Sequence, residues 1–196
     1  MTSQTHELDR RWAVATLLAE RRDLLVVTGP GAPAYDTAAN EDHPANFYLW
    51  NALGSAAMVG AGLALAQPGR PVAVITGDGD MLMGLGSLAT IAVQKPANLS
   101  IIVLDNERYG ETGMQESHSA YGVDLAAIAA DCGFPISHTL TEKSEVSGLA
   151  AKLHAPEGPL FANIKVKAEN LPRVLPPRDG ALLQNRFRGA LLGEDH

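Results

Sequence analysis

Two apolar runs constrain the fold of this chain more than any other feature. VAVIT (72–76) and LSIIVLD (99–105) lack the polar alternation of half-exposed strands, and a helical stretch at 82–93 lies between them. Strand, helix and strand at this spacing form a crossover unit, whose two strands run parallel and whose connection is right-handed. Continuously apolar strands belong in a sheet covered on both faces. The same alternation extends along the chain. DLLVVTG (23–29) reads as another buried strand, FPISHTL (134–140) as a weak one and PLFANIKV (159–166) as the last. Helical stretches are expected at 6–22, with Leu8, Trp12, Ala15 and Leu18/Ala19 on one face, and at 53–66, 124–131 and 141–154, with Asp124 as an N-cap. The expected fold is therefore α/β, a three-layer parallel sheet with helices on both faces. Residues 30–47 read as a long irregular loop and 106–121 as a polar loop, both of a length that carries function or interfaces. From Lys167 the chain holds Pro172, Pro176 and Pro177, then a short helix at 182–192. This divides it into a binding domain over 1–170 and a tail over 171–196, whose RFRGALL segment is either a partner-docking element or a frayed end.

Ligands in such sheets sit beyond the carboxyl ends of the strands. GDGD (77–80) follows the first run and Asn106 follows the second, so neighbouring strands would bring Asp78 and Asn106 to one edge. A glycine turn between strand and helix usually cradles phosphate, and an acid inside it would repel that ligand. A carboxylate, an amide oxygen and a nearby carbonyl instead make a hard-cation site, at which Mg²⁺ completes its shell with water and phosphate. Gly77 and Gly79 allow a sharp turn and close approach, and a helix from Met81 offers free N–H groups to an anion. The implied ligand is a diphosphate–Mg²⁺ complex. A nicotinamide-binding turn is the rival, with Asp105 placed to hold a ribose. However, Leu82 replaces its third glycine, and Asp78 would face a pyrophosphate without a metal.

Charge and cysteine content remove other classes. The net charge of −7 disfavours a nucleic-acid binder. The lone Cys132, read as a core residue, permits neither an intrachain disulfide nor a cysteine zinc cluster, as expected of a cytoplasmic protein. MTSQTHELDRRWAV is charged where a signal peptide would be apolar, and the longest apolar tract, 52–66, is broken by Gly54, Ser55, Gly60 and Gly62, so no membrane span is expected.

The segments HPANFYLWNALGSAAMVGAGLALAQPGRPVAVITGDGDMLMGLGSLATIA and VLDNERYGETGMQESHS resemble the pyrophosphate-binding, C-terminal domain of thiamin-diphosphate enzymes. Within that family they are most similar to the sulfopyruvate decarboxylase β-subunit and phosphonopyruvate decarboxylase group, over about residues 43–134. The resemblance implies that Asp78, the amide oxygen of Asn106 and the backbone carbonyl of Arg108 bind Mg²⁺. It places Gly77, Gly79 and Asp80 at the diphosphate, with the N–H groups of Gly79 and Asp80 as donors. Leu53 would lie under the cofactor and force its bent shape, the backbone of Asn51 would accept from the aminopyrimidine, and Tyr109 and Gly110 would line the site. His118 is the candidate to touch the substrate carboxylate or an intermediate, against a solvated loop histidine. Glu111, Thr112 and Gln115 are similar candidates at the cofactor edge, and His43 is read as a loop residue. NALG (51–54) departs from the Gly-Ser-Met-Gly of many relatives, and Asp80 replaces a frequent serine, so its carboxylate must turn away from phosphate or be neutralised. The chain leaves no room for the pyrimidine domain and its catalytic glutamate. The resemblance thus implies half an active site, completed by an α subunit in a hetero-oligomer of at least two α and two β chains. The implied activity is decarboxylation of a small anionic 2-oxo acid; a carboligase or synthase subunit and a non-catalytic cofactor-binding subunit are the alternatives.

Overall fold

The computed structural model describes residues 6–155 and 157–193, so the first five residues of the N-terminal stretch lie outside it. Helix α1 (Arg10–Leu18) starts where Asp9 accepts a hydrogen bond from the Trp12 N–H at 2.6 Å. It buries Arg10, Ala13, Val14, Leu17 and Leu18. The expected face is corrected by about one residue: Trp12 and Ala15 are half-buried and Ala19 is exposed. Arg10 accounts for this, because its Nε lies 2.6 Å from the buried Asp36 carboxylate and turns that side of the helix inward.

Strand β1 (Leu25–Thr28) is buried throughout. Helix α2 (Ala32–Ala39) and strand β2 (Asn46–Tyr48) follow, which corrects the reading of 30–47 as an irregular loop. Pro33 pre-sets the first turn of α2. Helix α3 (Ala56–Ala66) and strand β3 (Val72–Gly77) match their expected places. The single helix expected at 82–93 is instead two, α4 (Asp78–Met83) and α5 (Ser87–Gln94). The segment between them holds Gly84 and Gly86, and at Gly84 the chain passes so close to the Gly54 carbonyl oxygen that any side chain would overlap it. Strand β4 (Leu99–Asp105) comes next, and a small antiparallel ladder of β5 (Arg108–Tyr109) and β6 (Gln115–Glu116) orders part of the polar loop. The chain continues through α6 (Leu125–Cys132), which Asp124 caps, β7 (Ile136–Leu140), α7 (Lys143–Lys152), β8 (Leu160–Lys165) and α8 (Gly180–Leu192).

The sheet order is β2-β1-β3-β4-β8-β7, and every pairing in it is parallel. Side chains alternate across it. Val72, Val74, Leu99, Ile101 and Val103 face the core under α3, α5 and α6, while Ala73, Ile75, Ile102 and Leu104 face the core under α1 and α7. This is the three-layer α/β arrangement, with Cys132 half-buried against the first core. The decisive register is Gly77 opposite Leu104, which makes β3 and β4 neighbours and sends Asp78 and Asn106 off the same edge. Helix α8 returns across the outer strand β2. Leu183 and Phe187 are buried there, the Phe187 ring lies 5.2 Å from that of Phe47, and the Trp50 indole N–H donates to the Pro177 carbonyl at 3.0 Å. That cover blunts one sheet edge. Among the described residues, no helix is long and apolar enough to cross a membrane.

Candidate functional site

A cleft of about 470 Å³ opens at the carboxyl edge of β1, β3 and β4. Leu53, Gly77, Asp78, Gly79, Asp80, Asn106, Arg108, Tyr109 and Gly110 all line it, as do Glu111 and Thr112. Asn51, Gln115 and His118 do not line it. Asn51 is an exposed loop residue with φ of 56°, and the exposed His118 ring holds its Nδ1 2.9 Å from the Tyr109 hydroxyl. His43 lies elsewhere, where its Nδ1 accepts from the Ala45 N–H at 3.1 Å.

Asp78 is 2% exposed. Its Oδ2 accepts from the hydroxyls of Ser117 and, at 3.3 Å, Ser119. Behind it the fully buried Asp105 accepts from Ser119 Oγ at 2.7 Å, Asn163 Nδ2 at 2.9 Å and the Glu107 N–H at 3.1 Å, and pairs with Lys165 Nζ at 2.8 Å. Burial, with the charge of Asp105 added to it, pushes the Asp78 carboxyl up to about 6. Burial would lower Lys165, but its hydrogen bonds and ion pairs to Asp105 and Glu107 hold it above its ordinary value. Two serine hydroxyls thus supply two protons to a pair of buried carboxylates. Ser117 and Ser119 were not among the expected site residues, although they flank His118 in the triplet SHS. Both serines are buried, Ser117 just before and Ser119 within a short 3₁₀ turn over residues 118–121.

Asp80 is also buried, but its carboxylate faces away from the glycine turn. Oδ1 accepts the Gly54 N–H at 2.6 Å, and Oδ2 takes the Thr76 hydroxyl. Asp80 therefore anchors the loop that presents Leu53, which is 57% exposed. The ring of Tyr109 packs on the Gly79 backbone so closely that a Cβ there would come within 2.8 Å of it, while a Cβ on Gly77 would meet nothing nearer than Pro33 at 4.0 Å. The Asn106 amide oxygen accepts the Arg108 N–H at 3.0 Å across a turn whose tip, Glu107, has φ of 59°.

Among the described residues, no three His, Cys, Asp or Glu side chains gather as a metal cluster. A cation in this cleft would rest on the Asp78 carboxylate, the Asn106 amide oxygen and a backbone carbonyl. An all-oxygen set with one carboxylate suits a hard divalent cation that keeps further ligands from water or phosphate. A carboxylate whose pKa is raised by burial is also one that a divalent cation would bring back down. The residues present fit Mg²⁺ with a diphosphate.

Residues 32–164 match the family "Thiamine pyrophosphate enzyme, C-terminal TPP binding domain". A phosphonopyruvate decarboxylase of Streptomyces viridochromogenes is 40% identical over 90% of this chain and 44% of its own length. The chain thus spans less than half of that relative. A sulfopyruvate decarboxylase subunit beta of Methanothermobacter thermautotrophicus is 37% identical, over 83% of this chain and 84% of its own length. Among solved structures, benzoylformate decarboxylase of Polynucleobacter necessarius superposes with a TM-score of 0.74 at 18% identity, over 88% of this chain and 35% of that one, a likeness of fold.

Proposed function

The chain belongs to the thiamine pyrophosphate enzymes, as their C-terminal cofactor-binding domain, and on that premise we propose that it is the diphosphate- and Mg²⁺-anchoring β subunit of a heteromeric 2-oxo acid decarboxylase. The observation that carries this reading is the cleft, where the glycine turn, Asp78 and Asn106 meet at one sheet edge; a relative 37% identical over 83% of this chain is named a β subunit. In the bound state, Asp78, the Asn106 amide oxygen and the Arg108 carbonyl would hold the metal, and the N–H groups of Gly79 and Asp80 the diphosphate. Leu53 would support the cofactor from below, and Asn51 would meet its pyrimidine through the backbone. Thiamin diphosphate supplies the electron sink that 2-oxo acid decarboxylation requires.

The remaining work of this chain is positional. Asp80 spends its carboxylate on Gly54 and Thr76, which fixes the loop bearing Leu53 and keeps a second negative charge off the phosphate. The serines and Asp105 orient Asp78 from behind. Leu53 and Met83, both exposed at the cleft, together form an apolar rim that the cofactor and an α subunit would cover. That subunit would bring the pyrimidine domain and its glutamate, in an assembly of at least two α and two β chains in the cytoplasm. In this scheme residues 1–170 form the binding domain and 171–196 the tail. The substrate class, by analogy with the relatives' names, is a small 2-oxo acid with a second anionic group.

The test is product analysis with and without the α subunit. The isolated chain should turn over no 2-oxo acid, and the complex should release an aldehyde. Robust activity of the chain alone would refute the half-site, a condensed product would identify a carboligase, and a cofactor-saturated complex without turnover would identify a non-catalytic subunit.

A further inference from the structure

Three arginines line the cleft, and two of them are committed. Arg10 is sealed against Asp36 at 2.6 Å, with side-chain exposures of 6% and 0%. Arg108 donates to the Glu107 carbonyl at 2.8 Å and pairs with Glu116 at 3.3 Å. The third, Arg173, is different. Its partner is Glu111 at 3.1 Å, and the two side chains are 60% and 49% exposed. Exposed ion pairs of this kind contribute little and exchange readily.

Arg173 is nevertheless well placed. The backbone just before it is clamped by Arg10, which donates to the Glu169 carbonyl at 2.6 Å, and by Arg11, which donates to the Pro172 carbonyl at 2.8 Å. Its guanidinium lies 5.6 Å from the centre of the Tyr35 ring, an interaction that does not depend on Glu111. Glu111 in turn lies over Gly31 at the start of α2, where a Cβ would come within 3.1 Å of its Cγ. A carboxylate thus already sits against this guanidinium at the cleft wall. Arg173 also falls outside residues 32–164, the segment shared with the cofactor-binding family.

We propose that Arg173 is a specificity-determining residue, which receives the distal anionic group of the 2-oxo acid and releases Glu111 to do so. The proposal rests on the decarboxylase reading and names the substrate class within it: an acid bearing a sulfonate, phosphonate or second carboxylate. A planar guanidinium binds such a group through two parallel N–H···O bonds, which a screened surface carboxylate does not match once the ligand is held at its other end.

The test uses the full chain purified with the subunit that accompanies it, saturated with Mg²⁺ and thiamin diphosphate, as wild type, Arg173→Met, Arg173→Lys and Glu111→Gln. Loss of a charge-assisted contact predicts that Arg173→Met lowers the sulfopyruvate-to-pyruvate ratio of kcat/KM by about 10–100-fold, mainly through KM. Arg173→Lys should recover part of that ratio, and Glu111→Gln should lower the KM for sulfopyruvate. An unchanged ratio overturns the proposal. So does a fall in thiamin diphosphate affinity equal to the fall in kcat/KM, which would assign the guanidinium to the diphosphate. If the wild type turns over no 2-oxo acid, the decarboxylase reading fails, and calorimetric titration with 3-sulfopropionate decides the arginine separately: binding weakened at least tenfold in Arg173→Met supports it, and equal or absent binding in the wild type and variant overturns it.

Discussion

Replacing Asp78 by asparagine should stabilise the cofactor-free chain while destroying its purpose. The Asp78 carboxyl is 2% exposed, accepts from the Ser117 hydroxyl, and shares the Ser119 hydroxyl with the buried Asp105. Burial, then the charge of Asp105, raises it from 3.8 to about 6. At about 1.4 kcal/mol per factor of ten, its ionised form costs the fold ~3 kcal/mol. A carboxyl raised in the folded state stabilises fully below its unfolded pKa, and that stabilisation is lost as pH rises through the folded value. Wild type therefore loses it progressively between about pH 4 and pH 6, whereas asparagine has no charge to bury. In urea denaturation of the purified chain, Asp78→Asn should be the more stable protein at pH 8, by up to ~3 kcal/mol, and its advantage should shrink by ~1.4 kcal/mol at pH 5. Calorimetry on the complex should show that the same variant has lost Mg²⁺-dependent cofactor binding. A variant destabilised equally at both pH values would refute the burial argument, and unchanged cofactor affinity would refute the metal assignment.

Other perturbations separate packing from function. Leu53→Ala should shift stability by no more than about 0.5 kcal/mol, because the side chain is 57% exposed, yet lower turnover of the complex; normal turnover would remove Leu53 from under the cofactor. Lys165→Met leaves the fully buried Asp105 without its cation and should cost about 3–5 kcal/mol by denaturant titration, whereas a cost under 1 kcal/mol would mean that Asn163 and Ser119 suffice. Gly84→Ala forces a methyl into the Gly54 carbonyl, so it should cost about 1–3 kcal/mol and weaken cofactor binding through the displaced Leu53 loop. A wild-type melting temperature would show that this close approach can relax.

The sheet was legible in the sequence because buried parallel strands are largely apolar, and four of its six strands announce themselves in that way, while β7, with Ser137, His138 and Thr139, gives only a weak signal. The sixth, β2, has only three residues, too few for any period. Helix α2 escaped notice because its core-facing side includes Asp36, a carboxylate that only the distant Arg10 and Arg11 make tolerable there. The close approach of Gly84 to Gly54 likewise joins two segments that no local pattern connects. The same division applies to the site. Asp78 and Asn106 could be paired by topology, since both follow strands that proved adjacent. Ser117 and Ser119 could not, because their partners are two carboxylates remote in sequence. Arg173 was hidden in a proline-rich tail, where local pattern gives no hint that the chain returns to the cleft.

The hydrogen bond between Trp50 and Pro177 has a spectroscopic consequence. The protein has two tryptophans. Trp12 stands on α1 beneath the Lys143 ammonium, 5.2 Å from its ring centre. Trp50 is three positions before Leu53, with its indole N–H on the tail carbonyl. One of two intrinsic fluorophores is therefore wired between the cofactor loop and the C-terminal helix. In a Trp12→Phe background its emission should therefore report, without a label, whether the tail stays on the loop that leads to Leu53.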